Sequence, residues 1–88
     1  MWKIEFRKQP EKFLAKLNDA DRTRILTAVY KLRETPYNRK DLDIKRLKGE
    51  DMKWRLRVGD WRIIYYLDKG RLIIEIIEIG TRGDVYKS

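Results

Sequence analysis

The residues able to do chemistry in this sequence are mostly cations, and they are concentrated. From Lys45 to Arg57 there are six basic side chains, Lys45, Arg46, Lys48, Lys53, Arg55 and Arg57, against two acids, Glu50 and Asp51. This local excess of +4 is half of the formal +8 of the whole chain. Guanidinium groups stay charged and can hold two phosphate oxygens at once, so the cluster points to a polyanionic partner and to stabilisation of negative charge. Tyr66 and Tyr86 are the aromatics placed to stack on unpaired bases beside these cations. Tyr66 equally suits packing against sheet neighbours, and Tyr86 lies in a polar terminal segment of the kind that often frays. The sequence contains no His and no Cys. Zinc fingers, thiol or imidazole nucleophiles, disulfides and imidazole bases are therefore excluded. Lys53, Glu75, Glu78 and Tyr86 remain as proton-transfer candidates, each with a handicap. Lys and Tyr start protonated at neutral pH, and a carboxylate repels a phosphate.

The elements that must position these groups are legible as periodicities. Trp2, Ile4 and Phe6 alternate with Lys3, Glu5 and Arg7, which predicts a strand. Pro10 suits the first turn of a short helix carrying Phe13, Leu14 and Leu17, with Glu11 near its positive end. Asn18 or Asp19 caps a second helix whose stripe is Ile25, Leu26, Val29 and Leu32, ending before Pro36. Residues 37–43 read as a polar loop and residues 45–48 as a basic stretch closed by Gly49. Trp54, Leu56 and Val58 then alternate with Lys53, Arg55 and Arg57, and Gly59-Asp60 is a two-residue turn into residues 61–67. A second turn at Asp68-Lys69-Gly70 leads to residues 71–79. The prediction is an α+β fold: an N-terminal strand, a two-helix hairpin and a three-stranded antiparallel meander, with the helices packed on one face of the sheet.

The turn at Gly59-Asp60 fixes the register. It pairs Val58 with Trp61, Arg57 with Arg62, Leu56 with Ile63, Arg55 with Ile64 and Trp54 with Tyr65. One face then carries Trp54, Leu56, Val58, Trp61, Ile63, Tyr65 and Leu67 against the helices. The other carries Lys53, Arg55, Arg57, Arg62, Ile64 and Tyr66 as an exposed cationic surface. Keeping Glu75 out of the core sends Leu72, Ile74 and Ile76 inward. Arg57 opposite Arg62 requires counter-charge, either from Asp60, Glu75 and Glu78 as a solvated salt-bridged face or from a bound anion.

A length of 88 residues predicts one domain over residues 1–88, too small to enclose a large cofactor cavity. The longest apolar stretch, residues 73–79, is interrupted by Glu75 and Glu78, far short of a membrane helix. The alternating start Met1-Trp2-Lys3-Ile4-Glu5 does not resemble a signal peptide, so a cytoplasmic setting without membrane contact is expected.

Three segments together resemble a known family. Leu47-Lys48-Gly49, the run Trp54-Arg55-Leu56-Arg57-Val58-Gly59-Asp60-Trp61-Arg62-Ile63-Ile64-Tyr65, and the ending Gly80-Thr81-Arg82-Gly83-Asp84-Val85-Tyr86 are similar to the RelE branch of the RelE/ParE toxin superfamily. The resemblance covers nearly the whole chain. It implies the toxin of a type II toxin–antitoxin system: a metal-independent endoribonuclease, without cofactor, that cleaves mRNA in the ribosomal A site and inhibits translation. A cognate RelB-like antitoxin, with an acidic segment folding on binding, is the implied partner beside mRNA and the ribosome. Position by position, the resemblance gives Arg62 the grip on the scissile phosphate and Arg82 the leaving oxygen. Arg55 and Lys53 would assist the 2′-OH or its charge, and Tyr86 would orient the sugar or stack on a base. Arg55 stands where relatives have Lys. Arginine is a poor proton acceptor, which favours electrostatic stabilisation over base duty there. Lys45, Arg46, Lys48, Arg57 and Tyr66 are expected to contact RNA. Two alternatives use the same surface: a ParE-like inhibitor of DNA gyrase, and a non-catalytic RNA- or ribosome-binding module.

Overall fold

A computed structural model describes residues 1–49 and 52–81. The element order is β1 (Lys3–Phe6), α1 (Lys8–Lys16), α2 (Asp19–Lys31), β2 (Asp43–Arg46), β3 (Lys53–Val58), β4 (Trp61–Asp68) and β5 (Ile73–Thr81). The strands form one sheet in the order β1-β5-β4-β3-β2. β1 runs parallel to β5, and the other neighbouring pairs are antiparallel. The helical connection over one face allows β1 to lie parallel to the last strand.

The hairpin of helices is closed by side chains that satisfy its free backbone ends. Asn18 caps α2, its Oδ1 accepting from the Asp21 amide at 2.8 Å. Arg22, on the first turns of α2, reaches back to donate to the carbonyls of Leu14 at 2.9 Å and Leu17 at 2.6 Å. The Leu14 carbonyl also accepts from the Leu17 amide at 3.2 Å, so the guanidinium shares that acceptor and takes the Leu17 carbonyl as well, closing the end of α1. α1 is pinned to the sheet by Gln9, which donates to the Ile79 carbonyl at 2.7 Å and accepts from the Ile79 amide at 2.8 Å. β1 stops pairing at Phe6 opposite Ile76. Gln9 therefore stands in for the missing strand neighbour farther along β5.

The core lies between helices and sheet. Ile25, Val29 and Leu32 from α2 and Leu14 from α1 pack with Leu56, Ile63, Tyr65, Leu67, Ile74, Ile76 and Ile79. Each such aliphatic side chain contributes about 1.5–3 kcal/mol by leaving water. Tyr65 is fully buried, yet its hydroxyl donates to the Pro36 carbonyl at 2.6 Å. Burial pushes that phenol well above its ordinary range. Gly59 has φ +57 in the β3–β4 turn, and a Cβ there would approach Arg24 Nη2 at 3.0 Å. Glycine meets both demands.

The predicted fold class and the β3–β4 register are present, with three local differences. First, the antiparallel part of the sheet has an additional edge strand, β2. It overlaps the segments read as loop and basic stretch, because Ile44 is its one apolar residue and alternation gave no signal. Second, Leu72 is 46% exposed with φ 55, in the turn before β5 rather than in the core. Third, β5 carries a bulge. Tyr65 pairs with Ile76 while Ile64 pairs with Glu78, leaving Ile77 as the extra residue. Strict alternation from Ile76 would turn Glu78 inward. The bulge resets the phase, so Ile76 and Ile79 are both buried and Glu75 and Glu78 share the other face.

Candidate functional site

Among the described residues, no helix covers the second face of the sheet. Its centre is built by pairing: Arg57 beside Arg62, Arg55 beside Ile64, and Lys53 beside Tyr66. β2 extends it by placing Lys45 next to Arg55 and Asp43 next to Arg57. β5 adds Glu78 beside Ile64 and Glu75 beside Tyr66. The expected row of Lys53, Arg55, Arg57 and Arg62 is thus brought together, with Lys45 joining it and Tyr66 at one end.

Burial divides these groups. Arg57 and Lys45 are exposed, Lys53 and Arg55 are partly buried, and Tyr66 is 37% exposed. Arg62 is 6% exposed, which corrects the expectation of a solvated position. It lies on an interior strand between β3 and β5 and so has neighbours on both sides. A guanidinium this sheltered interacts more strongly with a phosphate than one in bulk solvent.

Counter-charge comes partly from a residue that sequence reading did not assign. Asp43 Oδ1 accepts from Arg55 Nη2 at 2.5 Å, and the Arg55 side chain is only 12% exposed. No sequence signal was available, since Asp43 acts through a strand that carries almost no apolar pattern. Glu75 is engaged at the opposite side of the face by Arg7, whose Nε donates to its Oε2 at 3.0 Å and whose Nη2 pairs with the same oxygen. Arg71 lies 3.9 Å from the other oxygen. Arg7, Lys53, Tyr66, Glu75 and Ile77 line a shallow depression there.

Two expected RNA contacts fall elsewhere. Arg46 alternates with Lys45 and so projects to the helix-covered side, where its Cζ lies 6.0 Å from the centre of the Trp54 ring. Lys48 is exposed in the β2–β3 turn, beside Gly49 with φ +75. Arg82 and Tyr86 lie outside the described residues. The face can therefore offer clustered positive charge, one sheltered guanidinium and one exposed ring, which suits binding a phosphodiester and stabilising charge that develops on it.

Comparison with known proteins bears on the family and the fold. A family model described as the ParE toxin of the type II toxin–antitoxin system parDE matches residues 4–86. The candidate toxin RelE1 of Methanocaldococcus jannaschii is 32% identical over 85 residues, covering 97% of this chain and 94% of that protein. The archaeal RelE–RelB complex from Pyrococcus horikoshii superposes with a TM-score of 0.81 at 29% identity, covering 94% of this chain and 97% of that one. The isolated Escherichia coli RelE toxin shares the fold, with a TM-score of 0.79 at 18% identity and coverage of 98% and 92%. With the family match spanning nearly the whole chain and a relative 32% identical over 97% of it, the protein belongs to the RelE/ParE superfamily of toxins from type II toxin–antitoxin systems.

Proposed function

We propose that the protein is a cytoplasmic, single-domain, ribosome-dependent endoribonuclease that cleaves mRNA in the A site without a metal. The observation carrying this reading is the open sheet face, where Arg62 sits buried beside Arg57 and near Arg55. In the proposed reaction the ribose 2′-oxygen attacks the adjacent phosphorus in line and the 5′-oxygen leaves. The products are a 2′,3′-cyclic phosphate and a 5′-hydroxyl, with the 2′-OH proton released and one proton delivered to the leaving oxygen. The phosphate acquires extra negative charge on the way. Fixed guanidinium groups stabilise that charge without reorganising. Arg62 holds the scissile phosphate, Arg55 and Arg57 add field, and Lys53 with Tyr66 accommodates the neighbouring nucleotide. Arg82 and Tyr86 complete the site by family resemblance. A RelB-type antitoxin is the partner in the related complexes from P. horikoshii and M. jannaschii, and a counterpart is proposed to restrain this chain.

The test is cleavage of a defined mRNA on programmed ribosomes, mapped at nucleotide resolution. Wild type should cut at discrete codons, and Arg62→Ala should lower the single-turnover rate by about 10²–10³. Because Arg62 is buried, Arg62→Lys and circular dichroism serve as folding controls. The description of the matching family as a ParE toxin supports one second reading, inhibition of DNA gyrase. Intact mRNA together with gyrase-dependent DNA breaks would establish that reading instead.

A further inference from the structure

The outer edge of β5 changes partner along its length. Its first part is paired with β1, a pairing that ends at Phe6 opposite Ile76, after which the Arg7 amide still donates to the Ile76 carbonyl at 2.9 Å. β5 itself continues to Thr81. Among the described residues no strand borders this last stretch on its outer side. Gln9 borders it instead. Its side-chain oxygen accepts from the Ile79 amide at 2.8 Å and its nitrogen donates to the Ile79 carbonyl at 2.7 Å, the donor and acceptor that a neighbouring strand would present. Gln9 is an exposed residue, and exposed glutamines ordinarily keep their rotamer freedom. Here both ends of the amide are spent on one backbone residue.

The clamp lies one residue from the centre of the candidate site. Successive residues of a strand turn their backbone groups to opposite edges, so with Ile79 turned out to Gln9, Gly80 turns toward β4, where its partner is Arg62. Thr81 follows opposite Trp61, and Arg82 is the next residue in the sequence. Gly80 is the weak link in this succession, because a residue without Cβ does little to hold the direction of the chain beyond it. Arg62 is held from both sides, by β3 and β5. The end of β5 has β4 on one side and only the Gln9 amide on the other.

We infer that Gln9 is a positioning residue for the proposed reaction: by clamping Ile79 it fixes the end of β5, and with it the direction from which Arg82 is presented to the phosphate held by Arg62. The inference rests on the proposed ribonuclease reading and deepens it. Gln9 touches no reacting atom. It acts through the backbone, and a misplacement of about 1 Å in a charge-stabilising group lowers the rate of a bound substrate rather than its binding.

The experiment measures single-turnover cleavage at saturating mRNA-programmed ribosomes, ribosome affinity and Tm for the full chain and for Gln9→Ala, Gln9→Glu, Arg82→Ala and Gln9→Ala/Arg82→Ala, below the Tm of each. Gln9→Ala should lower the saturated rate by about 10–100-fold with affinity kept within about two-fold. Gln9→Glu keeps the size and the acceptor but sets a carboxylate oxygen against the Ile79 carbonyl, so it should lose at least as much, and it serves as the readout if Gln9→Ala folds poorly. In the Arg82→Ala background the loss on removing Gln9 should shrink to within about three-fold, since the group it positions is gone. Saturated rates of Gln9→Ala and Gln9→Glu within two-fold of wild type overturn the inference and leave the ribonuclease reading intact. So does a loss seen only in affinity, a loss of equal size with and without Arg82, or an Arg82→Ala rate equal to that of wild type. Wild type that binds ribosomes without cleaving mRNA defeats the ribonuclease reading itself, and this inference with it.

Discussion

At the scale of single residues, the site holds a contest between internal and external anions. Arg55 is committed to Asp43 across the β2–β3 pair, so a phosphate approaching Arg55 competes with a carboxylate already in place. The carboxylate also repels the incoming anion, and both effects weaken binding. Asp43→Asn keeps size and removes the charge. The variant should bind single-stranded RNA about 3–10-fold more tightly in a filter or anisotropy assay at moderate salt, with a steeper salt slope as one more cation becomes available. Equal or weaker binding would show that Asp43 orients Arg55 productively rather than competing for it. Arg62 differs because its place in the interior of the sheet shelters it. Sequence alternation put Arg62 on the correct face, but alternation carries no information about how deeply a face is covered.

At the scale of elements, the segments with strong apolar periodicity were legible and those without it were not. The β3–β4 hairpin was readable to the residue because a two-residue turn fixes register; α2 announced itself by stripe and cap, and α1, which has no side-chain cap, by its stripe and Pro10. β2 was invisible because it borrows its order from β3, and the β5 bulge because it is a single-residue phase change inside a run of isoleucines. The segment joining α2 to β2 is instead tied by charge. Asp41 accepts from Arg39 Nε at 2.8 Å and from Lys31 Nζ at 3.1 Å, linking the end of α2 to the approach of β2. These bonds, the Arg39 one foremost, hold the Asp41 carboxyl well below the usual carboxylate range. A depressed folded-state pKa means that this contribution to stability is fully present above the unfolded value, about 3.9, and is lost as pH falls through the folded one. Urea midpoints measured at pH 6, 4 and 2.5 should therefore decline toward acid, less steeply in Asp41→Asn. Parallel declines in the two proteins would place the acid sensitivity elsewhere.

At the scale of the whole molecule, composition constrains the chemistry more than any one contact does. With no His and no Cys in 88 residues, no side chain of the chain titrates near neutrality by its ordinary value. On the open face, Glu75 is held by Arg7 and Asp43 by Arg55, so two of its carboxylates serve as counter-ions. The face is better equipped to stabilise charge than to abstract a proton. On the proposed ribonuclease reading, orientation of the 2′-OH falls to the ribosome, and the free protein should cut naked RNA far more slowly than ribosome-bound mRNA. On ribosomes, the single-turnover rate should vary little between pH 6 and 8, apart from the intrinsic dependence of 2′-OH ionisation on hydroxide. Lys53→Ala, Glu75→Gln and Glu78→Gln should each lose less activity than Arg62→Ala. The decisive measurement is the pH–rate profile of these four variants beside wild type. If one lysine or carboxylate variant abolishes cleavage and removes a limb of the profile, that residue is the general base and proton abstraction outweighs electrostatic stabilisation. If the limbs are shared by all and only Arg62→Ala falls by orders of magnitude, transition-state charge is the main problem this protein solves.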